Sequence, residues 1–438
     1  MAAALLAAAI SSAQGAATAP EAEEAADFAR RSALAALHGP PKVFVDSIDA
    51  DGILRRLLGD AVWTGLTSRQ QALLLGVVRD HFVQALAPSA GSTGEIAWAS
   101  VSDPGGGPVF ADLGLRYGAS TLKTRWTVRR GPRGFAVEDI TLVDPGLSLA
   151  AEAGRLLGPE PVRRRDAGRE ARARAMPRLA GLLAIAAIVV LFARRLPPDR
   201  RRVLWVAAVP ALLFLVDGVL AVHRALGEPY ALVENVPPQR WRQFEKNALA
   251  AQAEGRTEAA RDEWKKALEA GAPPGPIEYQ MGLAARARGA PAEAAAHFES
   301  ALKSAPPAPG AGRELASMAM ADGRNAEALE RLQEYLRAAG PDPDTLATLA
   351  VVETNVGQAD AAVASIAAAR ALLGEEWRKA ELEAQIYARA GNAAGAVAAL
   401  RPLENEAHLD RSRIRADPAY LTIAADPVWV SFLNEPRK

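Results

Sequence analysis

Five glycines recur at a constant interval of 34 residues in the C-terminal half of the chain. They are Gly255, Gly289, Gly323, Gly357 and Gly391. Downstream of each glycine stand an alanine, a large apolar residue and a third apolar position, again at fixed spacings. The alanines are Ala260, Ala294, Ala328, Ala362 and Ala396, and the large residues are Trp264, Phe298, Leu332, Ile366 and Leu400. A period of this length is that of a two-helix unit, which must stack on its neighbours to bury its apolar face.

The residue types at these positions have separate physical roles. Glycine permits the tight turn between two helices, alanine allows two helix backbones to approach, and the large residue fills the space between units. In the second unit, Gly282 and Pro306 add a glycine in the first helix and a proline after the second helix. These features resemble the tetratricopeptide repeat (TPR) over residues 239–405. The resemblance implies an all-α TPR solenoid of five repeats, whereas the alternative is an alanine-rich helical bundle without repeats.

Side chains of the first helix of each unit line the concave face of such a solenoid. Their mixture of polar groups and a few apolar anchors favours a protein or peptide partner. The candidate partner-binding residues are Tyr279, Leu283, Arg286, Arg313, Met320, Gln385 and Arg389. Residues 406–438 form a capping segment in this interpretation. Its residues Tyr420, Leu421, Trp429 and Phe432 are expected to cover the last repeat.

Two apolar stretches, residues 176–193 and 203–222, are near the length that crosses a bilayer. Together with the arginine-rich linker at 159–178, they predict a two-helix transmembrane hairpin, and a buried soluble helical hairpin is the alternative. Residues 1–20 are typical of a signal peptide, although no basic residue precedes their apolar run. The signal peptide and the positive-inside bias of the short loop between the spans place both soluble domains on the periplasmic side of a bacterial inner membrane. The arginines before the first span favour the opposite orientation.

Residues 42–158 predict a second soluble domain, in which helices precede antiparallel strands and a final helix follows them. The expected strands are Glu95–Ser100, Pro108–Tyr117, Thr121–Arg129 and Gly134–Val143. In the third strand, apolar residues such as Trp126 alternate with Lys123 and Arg125. This alternation predicts a sheet with one covered face and one face in solvent.

Short motifs of this domain resemble the periplasmic phospholipid carrier family MlaC, also called toluene-tolerance protein. Trp63 precedes the helix start Leu66–Gln71, and Asp139 precedes the stretch Gly146–Leu149, as in that family. The chain departs from the family pattern after the serine, where Glu152 begins an unrelated triplet. The resemblance implies an apolar cavity that binds lipid, whereas the same side chains fill an ordinary core in the alternative interpretation. The candidate lipid-binding residues are Trp63, Phe82, Trp98, Phe110, Leu113, Trp126, Phe135 and Leu147.

The sequence contains no pattern that is typical of catalysis. Cysteine is absent, the five histidines are not spaced as a metal site, and no nucleophile or phosphate-binding motif occurs. The 51 basic residues balance the 51 acidic residues, so no overall charge favours nucleic acid. We therefore expect no enzyme activity, no cofactor, no metal and no nucleic acid.

Together these patterns predict a multidomain fold: an MlaC-like α+β N-terminal domain, a two-helix transmembrane hairpin and an all-α TPR solenoid. The function expected from it is that of a membrane-anchored periplasmic lipid-binding or transport-accessory protein, with membrane lipid as a ligand and a TPR scaffold that recruits protein partners. The alternative is a purely structural TPR assembly scaffold of the cell envelope, whose N-terminal domain holds no ligand.

Overall fold

A computed structural model describes residues 20–39, 41–86, 94–102, 107–118, 120–131, 134–157, 162–164, 230–232, 240–374, 377–405 and 409–435. Residues 1–19 of the predicted signal peptide, most of the arginine-rich linker and both predicted spans lie outside these ranges. The chain divides into two compact units. The first unit comprises residues 1–49, 81–152 and 238–438, and the second comprises residues 50–80 and 153–237.

The predicted fold class is wrong. The structure has a helical repeat region and a small antiparallel sheet. Within the ranges given above, no helix combines the length and the apolar character that crossing a membrane requires. The sheet and the repeats belong to the same compact unit.

The first unit contains an antiparallel sheet whose strands follow one another in chain order. Its strands are β1 (Gly94–Ser102), β2 (Val109–Tyr117), β3 (Ser120–Gly131), β4 (Gly134–Leu142) and the short β5 (Leu147–Ser148). The first four strands lie where the sequence pattern predicts them. Each of these strands forms an antiparallel pair with the next strand in the chain. Antiparallel neighbours can be joined by a short connection.

Two helices cover one face of this sheet, α1 (Pro20–His38) and α2 (Pro41–Ser47). Helix α1 presents a stripe of buried alanines to the strands, and these small side chains allow close approach. Helix α2 places the Phe44 ring against Trp126 of β3, with the ring centroids 6.0 Å apart. Trp126 of β3 therefore packs with these helices in an apolar core, and Val128 of the same strand is also fully buried.

The second unit contains α3 (Ala50–Leu58), α4 (Asp60–Thr64) and the first part of α5 (Ser68–Leu86), which continues into the first unit. Before α5, the Thr67 amide donates to Gln70 Oε1 at 2.9 Å, as in a capping box. Helix α6 (Leu149–Leu157) also continues from one unit to the other, and strands β6 (Val162–Arg164) and β7 (Tyr230–Leu232) pair in the second unit.

Between Arg240 and Asn405, where the structure describes every residue except 375 and 376, the chain forms five helix pairs. The first helices are α7 (Arg240–Ala253), α9 (Pro274–Ala287), α11 (Gly310–Ala321), α13 (Pro343–Asn355) and α15 (Ala380–Arg389). The second helices are α8 (Thr257–Glu269), α10 (Pro291–Lys303), α12 (Asn325–Ala339), α14 (Ala359–Leu373) and α16 (Ala393–Asn405). Each second helix begins 34 residues after the previous one. This periodic stack confirms the predicted TPR region.

The repeating glycines end the first helix of each pair. Their φ angles lie between +72° and +79°, which glycine adopts without steric cost. The residue after the glycine donates its amide to a carbonyl five positions back, for example from Arg324 to Ala319 at 2.8 Å. This bond closes a Schellman motif and turns the chain into the second helix.

The periodic alanines and large residues are buried, and they form the cores between the repeats. In the second repeat, a Cβ atom added to Gly282 would lie 2.5 Å from the Phe298 ring. The first-helix glycine therefore makes room for the large residue of the second helix. A capping segment follows, with α17 (Arg411–Ala416), a 3-10 helix (Pro418–Ile423) and α18 (Pro427–Asn434).

The face of the sheet that was expected in solvent is covered by the repeats, so that expectation was wrong. Lys123 and Arg125 of β3 contact the end of α12 and the start of α13. Val143, which follows β4, is buried in the core of the third and fourth repeats. These basic side chains can be covered because the repeats place the Asp342 carboxylate and the carbonyls of Ala339 and Gly340 opposite them.

Candidate functional site

The sheet contacts the repeats through a cluster of charged side chains. The local sequence pattern does not predict this contact. Lys123 Nζ donates to the Gly340 carbonyl at 2.6 Å and to Asp342 Oδ2 at 3.2 Å. The other oxygen of Asp342 accepts the Thr345 amide at 2.8 Å and caps α13. Lys123 and Asp342 are 4% and 5% exposed, so the ammonium and the carboxylate are withdrawn from water together.

Arg125 forms the second part of this contact. Its guanidinium donates two hydrogen bonds to the Asp112 carboxylate of β2, at 2.7 Å and 3.0 Å. The same guanidinium donates to the Ala339 carbonyl at 3.0 Å. The last carbonyls of α12 therefore receive hydrogen bonds from a cation, which the partial negative charge of a helix C-terminus favours.

The turn after β4 forms the third part of the contact. Asp144 accepts a bond from Arg313 at 2.8 Å and another from the Tyr335 hydroxyl at 2.9 Å. Its backbone carbonyl accepts the Gly310 amide, at 2.9 Å, at the start of α11. One aspartate is thus held by three donors from the third repeat. We refer to Lys123, Asp144, Arg313, Tyr335 and Asp342 as the sheet-binding cluster.

Glycines permit the close approach of the two backbones at this contact. A Cβ atom added to Gly146 would lie 1.9 Å from the Pro307 carbonyl oxygen, and one added to Gly310 would lie 2.8 Å from Asp144. Gly340 has a φ of +75°, and its Cβ would meet both Arg125 and Asp112. Larger residues at these positions would hold the sheet away from the repeats.

Burial shifts the pKa values of Lys123 and Tyr335. Burial lowers the pKa of the Lys123 ammonium, and the carboxylates of Asp342, Asp112 and Asp144 oppose that shift. Burial raises the pKa of the Tyr335 hydroxyl, and the nearby charges of Asp342 and Asp144 raise it further. Tyr335 is therefore neutral at physiological pH, so its hydroxyl is available to donate to Asp144.

The predicted partner-binding residues have different surroundings. Arg313 binds Asp144 of the chain's own sheet, and Tyr279 is buried beside Arg313. Leu283 and Met320 are half-buried against the repeat cores. Arg286 forms an ion pair with Glu314 of the next repeat, and Gln385 donates to Asp417 of the capping segment at 2.9 Å. Arg389 is exposed and has no hydrogen bond or ion pair to a described residue.

The predicted lipid-binding residues do not share one surface. Trp126 and Leu113 lie in the core beneath α1 and α2, whereas Trp98 lies on the opposite face, under the Lys123 ammonium. Phe82 is fully buried, and Phe110, Phe135 and Leu147 are half-buried. Trp63 belongs to the second unit, where its indole donates to Asp51 at 2.8 Å.

The motif residues that carried the resemblance to MlaC make local capping contacts. Asp139 accepts the Ser148 hydroxyl at 2.6 Å and the Ala150 amide at 2.9 Å, which fixes the start of α6. Gln71 donates to the Trp63 carbonyl at 2.9 Å and holds α5 to the turn before it. These contacts explain the residue types without a ligand.

The capping segment covers the last repeat with three of its four predicted residues. Tyr420, Trp429 and Phe432 are buried with Ala384 and Leu400 of the fifth repeat. Leu421, in contrast, is 71% exposed. Three aspartates, Asp410, Asp417 and Asp426, cap the short helices that position these side chains.

The chain is similar to solved structures of repeat proteins. A tetratricopeptide repeat protein from Parabacteroides merdae ATCC 43184 is 16% identical, with 44% of this chain and 77% of that chain covered and a TM-score of 0.38. The MamA protein is 17% identical, with 40% and 97% covered and a TM-score of 0.35. PilW, a type IV pilus biogenesis factor, is 19% identical, with 47% and 89% covered and a TM-score of 0.33. No protein-family model and no curated protein matches the chain.

The helix bounds and turns described above define the class of the protein. Its C-terminal part is a TPR-type helical solenoid, the architecture of protein-interaction scaffolds. The sheet is bound to the third and fourth repeats of that solenoid.

Proposed function

We propose that this chain is a protein-interaction scaffold whose central repeats carry the chain's own sheet and whose remaining repeat surface receives a partner. This proposal is supported by the hydrogen bonds that Arg313 and Tyr335 donate to Asp144. The third repeat therefore already binds a segment of the same chain, the turn after β4. A partner therefore engages repeats that the sheet leaves free, such as the fifth, where Arg389 is exposed.

A photo-crosslinking amino acid placed at Arg389 tests this proposal in the native host. We expect a discrete crosslinked polypeptide from this position. The matched control is the same amino acid at Lys303, whose side chain is 78% exposed on the second helix of the second repeat. No adduct at Arg389, or equal adducts at both positions, would argue against a partner on the repeat surface.

Lipid binding by the sheet and its helices stays a prediction that rests on the resemblance to MlaC. No contact described above favours it over an ordinary core. Mass spectrometry of the full chain, purified without added lipid, tests it, and a stoichiometric phospholipid would support it. The alternative of a scaffold without a ligand predicts none. The periplasmic localisation also stays a prediction, and a compartment-specific reporter fused after Lys438 tests it.

A further inference from the structure

The turn after β4 contacts the third repeat through four consecutive residues, 143–146. The Gly146 amide donates to the Val143 carbonyl at 3.0 Å, which closes a β-turn. Val143 is 4% exposed and lies in the core of the third and fourth repeats. Asp144 accepts hydrogen bonds on both carboxylate oxygens and on its backbone carbonyl. One short segment thus supplies an apolar anchor, a charge and a backbone contact, as a bound peptide motif does.

The third repeat provides three donors to Asp144 from two helices. Arg313 of α11 donates to one carboxylate oxygen at 2.8 Å, and the Tyr335 hydroxyl of α12 donates to the other at 2.9 Å. The Gly310 amide, at the start of α11, donates to the backbone carbonyl at 2.9 Å. We refer to Gly310, Arg313 and Tyr335 as the turn-binding site.

The charge of Arg313 is compensated mainly by this turn. Within the described residues its other ion pair is with Glu314, at 4.0 Å, and that carboxylate already pairs with Arg286. The Arg313 side chain is 33% exposed, and its guanidinium lies over the Tyr335 ring at 5.5 Å from the centroid. A guanidinium that is partly withdrawn from water binds a carboxylate through strong, charge-assisted hydrogen bonds. The turn-binding site therefore selects an acidic ligand.

Backbone geometry restricts the last position of the turn. Gly146 has a φ of +68°, and a Cβ atom added to it would lie 1.9 Å from the Pro307 carbonyl oxygen. A backbone carbonyl cannot rotate out of the way as a flexible side chain can. A ligand of this shape therefore needs glycine two positions after the aspartate.

We infer that the third repeat is a receptor for a short motif, in which an apolar residue and an aspartate are followed by any residue and a glycine. Residues 143–146 are its ligand within the same chain. Tethering gives such a segment an effective concentration of about millimolar, so the turn excludes the same motif on another polypeptide. The inference goes beyond the proposed partner surface, because it concerns the repeat that the sheet occupies.

A fluorescent peptide with the sequence of residues 140–148, ITLVDPGLS, tests the inference by anisotropy on the full chain. Asp144→Arg places a second cation beside Arg313, and the like charges should expel the turn. Gly146→Val should expel it by the clash with Pro307 and leaves the charges unchanged. We expect each variant to bind the peptide at least about tenfold more tightly than the unaltered chain does. Circular dichroism checks each fold, and the two variants perturb the turn independently.

Matched controls test the role of the charges. A peptide with asparagine in place of the aspartate should bind at least about tenfold more weakly than the original peptide. Adding Arg313→Asp to Asp144→Arg restores an opposite-charge pair in reversed order, so the turn should return and peptide binding should be lost. Adding Lys303→Asp instead reverses an exposed cation of the second repeat, and it should leave peptide binding unchanged.

The inference is overturned if neither variant binds the peptide, or if the asparagine peptide binds equally well. Equal binding by the unaltered chain would also overturn it, because the turn would then not occupy the site in competition with other ligands. The crosslinking experiment at Arg389 is independent of these results. A crosslink without peptide binding leaves the proposed scaffold function standing and refutes this inference, whereas peptide binding without a crosslink does the reverse.

Discussion

Replacing Lys123 with methionine removes the cation that joins the sheet to the repeats while it keeps most of the side-chain volume. Asp342 is 5% exposed, and among the described residues its side chain then keeps the Thr345 amide as a hydrogen-bond donor, at 2.8 Å. The Gly340 carbonyl also loses a donor at 2.6 Å. Removing one partner of a buried ion pair typically costs about 3–5 kcal/mol, because the remaining charge is left uncompensated. We expect a loss of this size in the free energy of unfolding.

A double-mutant cycle isolates the contribution of the pair. Asp342→Asn retains a side-chain oxygen that caps α13, since asparagine is as good a cap as aspartate. The double variant leaves no buried charge at the position. We therefore expect it to be more stable than the sum of the single changes predicts, with a coupling free energy of about 1–3 kcal/mol. Urea denaturation followed by circular dichroism measures each value.

A surface pair provides the control for this cycle. Lys303 pairs with Glu299 at 3.6 Å, and its side chain is 78% exposed. Lys303→Met should change the free energy of unfolding by less than about 0.5 kcal/mol, as exposed ion pairs contribute little. If Lys123→Met is equally harmless, or if the two single changes add within about 0.5 kcal/mol, then the sheet is not bound to the repeats by this pair.

Three further changes test the repeats and their contact with the sheet. Phe298→Ala should destabilise the chain by about 3–5 kcal/mol in urea denaturation, because it empties a fully buried position; a loss near zero would mean that the second repeat is not packed as described. Gly340→Ala should increase hydrogen exchange in β2 and β3, because its Cβ would lie 2.6 Å from Asp112 Oδ2; unchanged protection would contradict this. Burial raises the pKa of the Glu353 carboxyl to about 7, and one of its oxygens has no partner. The folded state then keeps a proton that the unfolded state releases above about pH 4.5, so stability falls as the pH rises from about 4.5 to 7. Glu353→Gln should remove that slope and add up to about 3 kcal/mol above pH 7, whereas an unchanged pH profile would refute the assignment.

The predictions that held depended on short-range periodicity. The glycines, alanines and large residues of the repeats recur at fixed positions on two helices, and each repeat contacts mainly its neighbours. The burial of Trp264 and Phe298 therefore follows from spacing alone. Strand positions followed similarly, because an alternating pattern between turns defines a strand without reference to the rest of the chain.

The predictions that failed depended on contacts between distant segments. Lys123 and Arg125 alternate with apolar residues, which is the pattern of a solvent-exposed face. Their partners Asp342 and Ala339 lie more than 200 residues away in sequence. The same limit applies to the contact between Arg313 and Asp144, because the local pattern around Arg313 does not indicate a partner 169 residues away. A charged residue has the same local pattern whether water or a remote carboxylate compensates its charge.

The sequence by itself determined that residues 240–405 form a stack of helix pairs and that a meander of strands precedes them. Both features arise from interactions within a few tens of residues, where side-chain spacing specifies which face is buried. Only the tertiary structure decided that the sheet lies on the third and fourth repeats and that the cap leaves Leu421 exposed. Those outcomes depend on which carbonyls, carboxylates and glycines from distant parts of the chain contact a given surface. The spacing of residues along the chain does not specify these contacts.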